Sequence, residues 1–195
     1  MTKVEVKYGL KNIGGNFIKI TDRDRTIVFD QGIRFGNLSK FFDRSVQPSG
    51  IMELRKLDII PKEEWYENID NIYISHLHLD HLGALSNIPP NIDIHIPGKS
   101  IYLGMKQKWE NSPTWLSIVP ENYYSTVNAV NILSEDKNRV LAIPVSHSAF
   151  PSVAYLYFGY DKTILYSGDI RINSFLTDDQ FESVNRGIDS KGYKN

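Results

Sequence analysis

The sequence contains no cysteine. Disulfide bonds, thiolate metal ligands and a cysteine nucleophile are therefore excluded, and the composition fits a reducing compartment. No apolar run reaches the roughly 18 residues that a membrane-spanning helix needs, and the N-terminal residues lack the apolar core of a signal peptide. These absences predict a cytoplasmic protein with no membrane partner.

An excess of charge of either sign is also absent. The sequence has 22 Lys and Arg residues and 23 Asp and Glu residues, which gives a formal net charge of −1. The basic residues are scattered along the chain. Composition alone thus gives no electrostatic footprint of a polyanionic partner. With 195 residues, of which 41% are hydrophobic, we expect one folded domain over residues 1–195.

Short apolar runs bounded by turn residues predict a fold built largely from strands. Alternating or continuous apolar residues, many of them β-branched, indicate strands at 4–7, 17–20, 26–29, 70–75, 93–96, 140–145, 153–158 and 163–166. Helical spacing predicts a helix near 35–42, another through 101–108, and a short helix beginning at 82–85. A mixed α/β fold follows.

Three of the five histidines lie within six residues, directly after the strand predicted at 70–75. In an extended segment His76 and His78 share one face and can point at one centre. Asp80 is a good helix-start residue, so the chain should turn there and aim Asp80 and His81 at a neighbouring centre. Imidazole and carboxylate ligands suit Zn²⁺, Mn²⁺ or Fe, and their number exceeds the need of one tetrahedral ion. The alternative is a surface loop that is merely rich in histidine.

Three further strands end in residues that can serve such a site. The strand at 140–145 leads to His147, the strand at 163–166 leads to Asp169, and the strand at 26–29 leads to Asp30. Layered folds assemble their sites at strand ends in this way. Asp30 has two interpretations, an Asx turn or a carboxylate that orients a metal-binding histidine, and the nearby metal pattern favours the second. His95 lies within a strand and is interpreted as an ordinary strand residue.

Taken in order, these motifs resemble the metallo-β-lactamase superfamily. The resemblance rests on Gly14-Gly15-Asn16, Asp30, the His76-x-His78-x-Asp80-His81 run, His147 and Asp169. It implies an α/β (α+β) fold in the form of a four-layer αβ/βα sandwich, with two divalent metal ions at one edge of the central sheets. Zn²⁺ is the expected ion, with Mn²⁺ or Fe as alternatives.

The resemblance also implies roles for individual residues. His76, His78 and His147 would hold one ion, Asp80 and His81 the other, and Asp169 would bridge them. A metal-bound hydroxide would be the nucleophile of a hydrolysis. Asp80 would be the catalytic residue that orients it.

The third and fourth motifs are similar to those of the β-CASP branch, which contains ribonuclease J. They are Ser146-His147-Ser148 and Tyr166-Ser167-Gly168-Asp169-Ile170-Arg171. This similarity implies a phosphodiesterase or nuclease acting on RNA or DNA, with Ser148 and Arg171 as substrate-binding residues. A small-molecule hydrolase that cleaves a thioester, lactone or cyclic phosphodiester is the alternative, and the near-neutral net charge favours it.

One family motif is missing. The superfamily has a further histidine on the second ion, whereas this sequence has none beyond His147. Either the chain is the N-terminal part of a longer protein, which we favour, or the second site is weak, empty or completed by a partner chain. A partner-dependent or catalytically impaired subunit is therefore a third interpretation. In this chain the site formed by His76, His78 and His147 is expected to fill first.

Overall fold

The computed structural model describes residues 1–11, 14–43, 45–110 and 126–171. Within these residues the chain forms two β-sheets. The first sheet has the strand order β1-β2-β3-β4-β5-β6, with bounds Lys3–Tyr8, Phe17–Asp22, Arg25–Phe29, Asn71–Tyr73, Asp93–Ile96 and Val127–Ala129. The second sheet has the order β7-β8-β9, with bounds Val140–Val145, Ser152–Phe158 and Thr163–Tyr166. The first sheet is mixed, because β1 to β3 pair antiparallel and β3 to β6 pair parallel.

Helices accompany the first sheet. They are α1, Phe35–Phe41; α2, Ile51–Lys56; α3, Leu79–Leu82; and α4, Lys99–Glu110, with 3₁₀ turns at Glu63–Tyr66 and Leu85–Asn87. None of the helices in the described ranges has the length and apolar character needed to cross a lipid bilayer.

The alternation of side chains along the strands divides the core into layers. On β4 and β5, Ile72 and Ile94 lie in the core that the helices cover, whereas Tyr73 lies in the core between the two sheets. On β8, Tyr155 and Tyr157 face the first sheet, and Phe158 lies in a separate cluster on the outer face of the second sheet. This separation follows from the two-residue period of a strand. The result is a helical layer followed by two stacked sheets.

The topology brings several strand ends to one edge. β3 and β4 are parallel, so their C-terminal ends lie side by side. β7 and β9 are both antiparallel to β8 and therefore run in the same direction. The backbone amide of Val153 donates to the Ser75 carbonyl at 3.0 Å, and that of Arg171 donates to the Ser146 carbonyl at 2.8 Å. The first bond joins the two sheets, and the second joins the segments that follow β7 and β9.

The predicted strands are all present, and the structure adds β6. β4 is shorter than predicted, because the Ser75 amide donates to the Asp30 side chain instead of to a neighbouring strand. The helix predicted to begin at 82–85 is wrong in position. α3 ends at Leu82, since Gly83 has a φ of 66°, and a 3₁₀ turn follows.

Candidate metal centre

Three imidazoles converge at the joined strand ends. His76 Nε2 lies 3.1 Å from His78 Nδ1, and His147 Nε2 lies 3.2 Å from the same atom. A tetrahedral ion with bonds of about 2.0 Å to imidazole nitrogens separates its ligand atoms by roughly 3.3 Å. The spacing of these nitrogens therefore fits one divalent ion. We name the group His76, His78 and His147 the first metal position.

A second group of ligand atoms surrounds His81 Nε2. Asp169 Oδ1 lies 3.3 Å from this nitrogen and Asp80 Oδ2 lies 3.8 Å from it. Among the described residues His81 Nε2 is buried and has no hydrogen-bond partner, which is the state expected of a nitrogen kept for a metal ion. We name the group Asp80, His81 and Asp169 the second metal position.

The two positions are adjacent. Within the described ranges, two groups of potential ligands have their atoms within 4.8 Å of one another: His76, His78 and His147, and His76, His81 and Asp169. Asp80 belongs to neither group, and its assignment to the second metal position rests on its distance of 3.8 Å from His81 Nε2. Asp169 reaches towards both positions, because its Oδ1 faces His81 and its Oδ2 lies 3.7 Å from His147 Nε2. The donor set of imidazoles and carboxylates can hold divalent metal ions.

A buried carboxylate supports both positions from behind. Asp30 is fully buried. Its Oδ1 accepts from the Ser75 amide at 2.7 Å, and its Oδ2 accepts from Ser75 Oγ at 2.8 Å, from Tyr166 OH at 2.5 Å and from His81 Nδ1 at 2.6 Å. Asp30 thus contacts His81, a predicted metal-binding histidine, as the interpretation of Asp30 as an orienting carboxylate requires.

This network fixes the proton positions of two imidazoles. His81 Nδ1 must carry a proton to donate to Asp30, which leaves Nε2 as the ligand atom of the neutral ring. The Ser75 hydroxyl gives its only proton to Asp30, so towards His76 Nδ1, 3.0 Å away, it must accept. His76 is therefore also protonated on Nδ1 and presents Nε2 to the first metal position.

The same contacts set the charge of the metal-free site. Burial lowers the pKa of His76 to about 3, and the neighbouring His81 adds to this effect. Burial would also lower the pKa of His81, but Asp30, Asp169 and Asp80 outweigh it and raise that pKa to about 9. For Asp30, the nearby His81 and the hydrogen bonds outweigh burial and lower the pKa. Near neutral pH the site thus contains a neutral His76 beside a protonated His81.

The remaining predicted residues lie at the rim or away from the site. Ser148 and Arg171 are exposed, and the charge of Arg171 acts on His147, whose pKa is lowered mainly by burial. Their contact with a substrate stays a prediction. His95 lies outside the site, as predicted: it bonds Asn71 Oδ1 at 2.8 Å and stacks on Tyr73.

Sequence reasoning gave no role to several residues that shape the site. Ser75 and Tyr166 bond Asp30, and Asn16 Nδ2 donates to Tyr166 OH at 3.0 Å. Gly14 lies against Asp80, where an added Cβ would meet Asp80 Oδ2 at 2.6 Å. Their positions in the sequence are the one signal that could have identified them: Tyr166 directly precedes the Ser-Gly-Asp motif, and Ser75 directly precedes the histidine run.

Several known proteins are similar to this chain at low sequence identity. No protein-family model matches the chain. Ribonuclease J of Pyrococcus abyssi is 22% identical over 177 residues, which cover 89% of this chain and 39% of the relative. Ribonuclease J of Methanocaldococcus jannaschii is 23% identical over 178 residues, which cover 86% of this chain and 38% of the relative.

The chain is thus similar to ribonuclease J, at low sequence identity, over most of its own length. It spans about two-fifths of the length of these ribonuclease J relatives. A crystal structure of a protein of unknown function from Enterococcus faecalis is 23% identical, with a TM-score of 0.66 over 88% of this chain and 44% of that one. The metallo-β-lactamase fold protein YhfI from Bacillus subtilis is 15% identical, with a TM-score of 0.49 over 86% of this chain and 62% of that one.

Proposed function

We propose that this chain carries the metal centre of a metal-dependent phosphodiesterase that cleaves RNA or DNA. The observation that carries the proposal is the position of the Asp169 carboxylate, whose two oxygens face His81 and His147. Such an arrangement suits two adjacent ions, here expected to be Zn²⁺, with Mn²⁺ or Fe as alternatives. The relationship to ribonuclease J supports a nucleic acid as the substrate.

Each group of residues has a defined task in this proposal. His76, His78 and His147 would hold one ion, and Asp80, His81 and Asp169 the other. Bound divalent ions supply Lewis acidity and lower the pKa of water, which makes hydrolysis of a phosphodiester possible near neutral pH. Asp30 holds His81 in the tautomer that presents Nε2, and Asp80 would accept a hydrogen bond from the attacking group and orient it.

The test is cleavage of a labelled single-stranded RNA in the presence of Mn²⁺ or Zn²⁺. We expect Asp80→Ala to abolish cleavage. Asp24→Asn is the matched control, because Asp24 lies in the turn between β2 and β3, at the end of β3 opposite Asp30. Unchanged cleavage by Asp80→Ala would refute the assignment of this residue.

Two other functions have an observation in their favour. The net charge of −1 favours a small-molecule hydrolase that cleaves a thioester, lactone or cyclic phosphodiester. The absence of a histidine after His147 favours a subunit that needs another domain or a partner chain to complete the second metal position. Cleavage of a small ester without cleavage of RNA would support the first. Activity only after addition of the missing part would support the second.

A further inference from the structure

A basic cavity of about 470 Å³ is lined in part by Gly14, which packs against Asp80. Its lining includes Tyr8, Lys11, Gly14, Arg34, Asn37 and Lys40. Of the described residues that line it, none is acidic. Three of the scattered basic residues of the sequence, Lys11, Arg34 and Lys40, therefore converge here, although the chain as a whole has a net charge of −1.

The cavity shares a wall with the metal centre. Gly14 lines the cavity and packs on Asp80, and the Gly15 amide donates to the Asp80 carbonyl at 2.8 Å. Gly15 also packs against Arg34, because a Cβ added to this glycine would meet Arg34 Cγ at 2.6 Å. Two glycines thus separate the carboxylate of the second metal position from the cations of the cavity.

Arg34 is a fixed cation in this wall. It is 2% exposed, and its guanidinium lies 3.6 Å from the ring centre of Tyr8 and 4.8 Å from that of Trp65. Its Nη1 pairs with Asp58 at 2.7 Å, while Nε and Nη2 have no hydrogen-bond partner among the described residues. The stacking holds the guanidinium in place, and Asp58 compensates part of its charge at Nη1 while Nε and Nη2 keep their donors unused among these residues. A buried cation with free donors favours an anion nearby.

Lys11 and Lys40 provide two exposed charges in the lining of the same cavity. Both side chains are exposed, and Lys40 Nζ contacts Asn37 Oδ1 at 3.2 Å. Long ammonium side chains around a fixed guanidinium suit a phosphate whose exact position varies from one bound strand to another.

We propose that this cavity binds a backbone phosphate of the single-stranded nucleic acid whose neighbouring phosphodiester lies at the metal centre. The inference rests on the proposed function for its substrate class. The inference adds a phosphate-binding site that lies outside both metal positions. A strand that enters over Gly14 would place one phosphate on the cations and the next linkage beside Asp80.

The experiment measures the affinity for a fluorescently labelled single-stranded RNA by anisotropy, in EDTA so that cleavage is suppressed, at several salt concentrations. The test variant is Lys11→Gln with Lys40→Gln. Its matched control is Lys137→Gln with Lys162→Gln, because these exposed lysines precede β7 and β9 at the ends opposite His147 and Asp169. Each lost phosphate contact reduces the magnitude of the negative slope of log K against log salt by about 0.7 for a single strand. Since the cavity would bind one phosphate, we expect the test variant to reduce this magnitude by about 0.7 and the control to leave it unchanged.

The outcomes separate this inference from the proposed function. If the test variant binds with the affinity and slope of the wild type, or if a mononucleotide binds as tightly as the strand, the inference is wrong. Lysine-dependent binding of the strand together with full cleavage by Asp80→Ala would support this site and refute the proposed catalytic assignment. Loss of cleavage by Asp80→Ala with unaltered binding by the lysine variant would support the catalytic assignment and refute this site.

Discussion

Asp30 is the residue whose replacement tests the supporting network most directly. The substitution Asp30→Asn keeps the shape of the side chain but removes its charge and one of its two acceptor oxygens. Whichever way the amide is oriented, its NH₂ group faces a donor, because both Asp30 oxygens accept hydrogen bonds. The variant therefore leaves at least one buried donor without an acceptor and His81 without its charged partner.

The expected loss of unfolding free energy follows from burial. Both Asp30 and His81 have no exposed side-chain surface. Removing one partner of a buried ion pair costs about 3 to 5 kcal/mol, and an unsatisfied buried donor accounts for about 1 to 3 kcal/mol of such a loss. We expect a destabilisation in this range for the metal-free chain at pH 6. The control Asp24→Asn, in an exposed turn, should stay within about 0.5 kcal/mol of the wild type.

The pH dependence gives a sharper criterion. His81 has a pKa raised to about 9, so its contribution is fully present below its unfolded pKa of about 6.5 and is lost as the pH rises through 9. Asp30 has a lowered pKa, so its contribution is present above about pH 4 and is lost on acidification. Guanidinium unfolding in EDTA should therefore show the largest difference between wild type and Asp30→Asn between about pH 4 and 6.5. A difference that stays constant up to pH 9 would refute the ion-pair interpretation.

The other predictions concern the metal ions and Asp80. The wild-type chain purified without chelator should contain at least one ion by elemental analysis, and His76→Ala should lose it; a folded sample without metal would contradict both metal positions. Tyr166→Phe keeps the ring but removes the hydroxyl that supports the buried carboxylate, so Zn²⁺ affinity in a competition titration should fall by about 10-fold to 100-fold, and equal affinity would speak against this support. Gly14→Ala should impair RNA cleavage because the new Cβ would displace the Asp80 carboxylate. Gly104→Ala, where an added Cβ meets nothing within 4 Å, should retain activity, and equal behaviour of the two variants would exclude the steric argument.

The cluster of potential metal ligands could be predicted from the sequence because histidine and aspartate are recognisable as ligand types by themselves. His76 and His78 follow an apolar run and are two residues apart, so in an extended segment they lie on the same face. Both the ligand type and the spacing can be read from a few neighbouring residues. His147 and Asp169 needed one further step, namely that strands running in the same direction end at the same edge of a sheet. Parallel and antiparallel pairing then places residues distant in sequence beside His76.

The supporting network and the basic cavity could not be predicted in the same way. A tyrosine such as Tyr166 is equally compatible with a core position, and only the packing of β9 against β3 brings its hydroxyl to Asp30. Lys11, Arg34 and Lys40 look scattered in the sequence because they come from a loop after β1, the segment before α1 and α1 itself. Their convergence depends on tertiary contacts that leave no periodic pattern. The position of α3 was wrong for a related reason, since the backbone of Gly83 decided where the helix ends.

The protonation of the metal-free site predicts that the two metal positions differ in affinity, independently of any missing ligand. At the first position His76 is already neutral near pH 7, since its pKa is lowered to about 3, and an ion can bind to it without displacing a proton. At the second position His81 has a pKa of about 9, and it must lose a proton before Nε2 can bind a metal. The acidic partners that raise this pKa also attract the cation, and the cost of removing the proton falls as the pH rises towards 9. The first position should therefore fill first at neutral pH, and the affinity of the second should increase between pH 6 and pH 9.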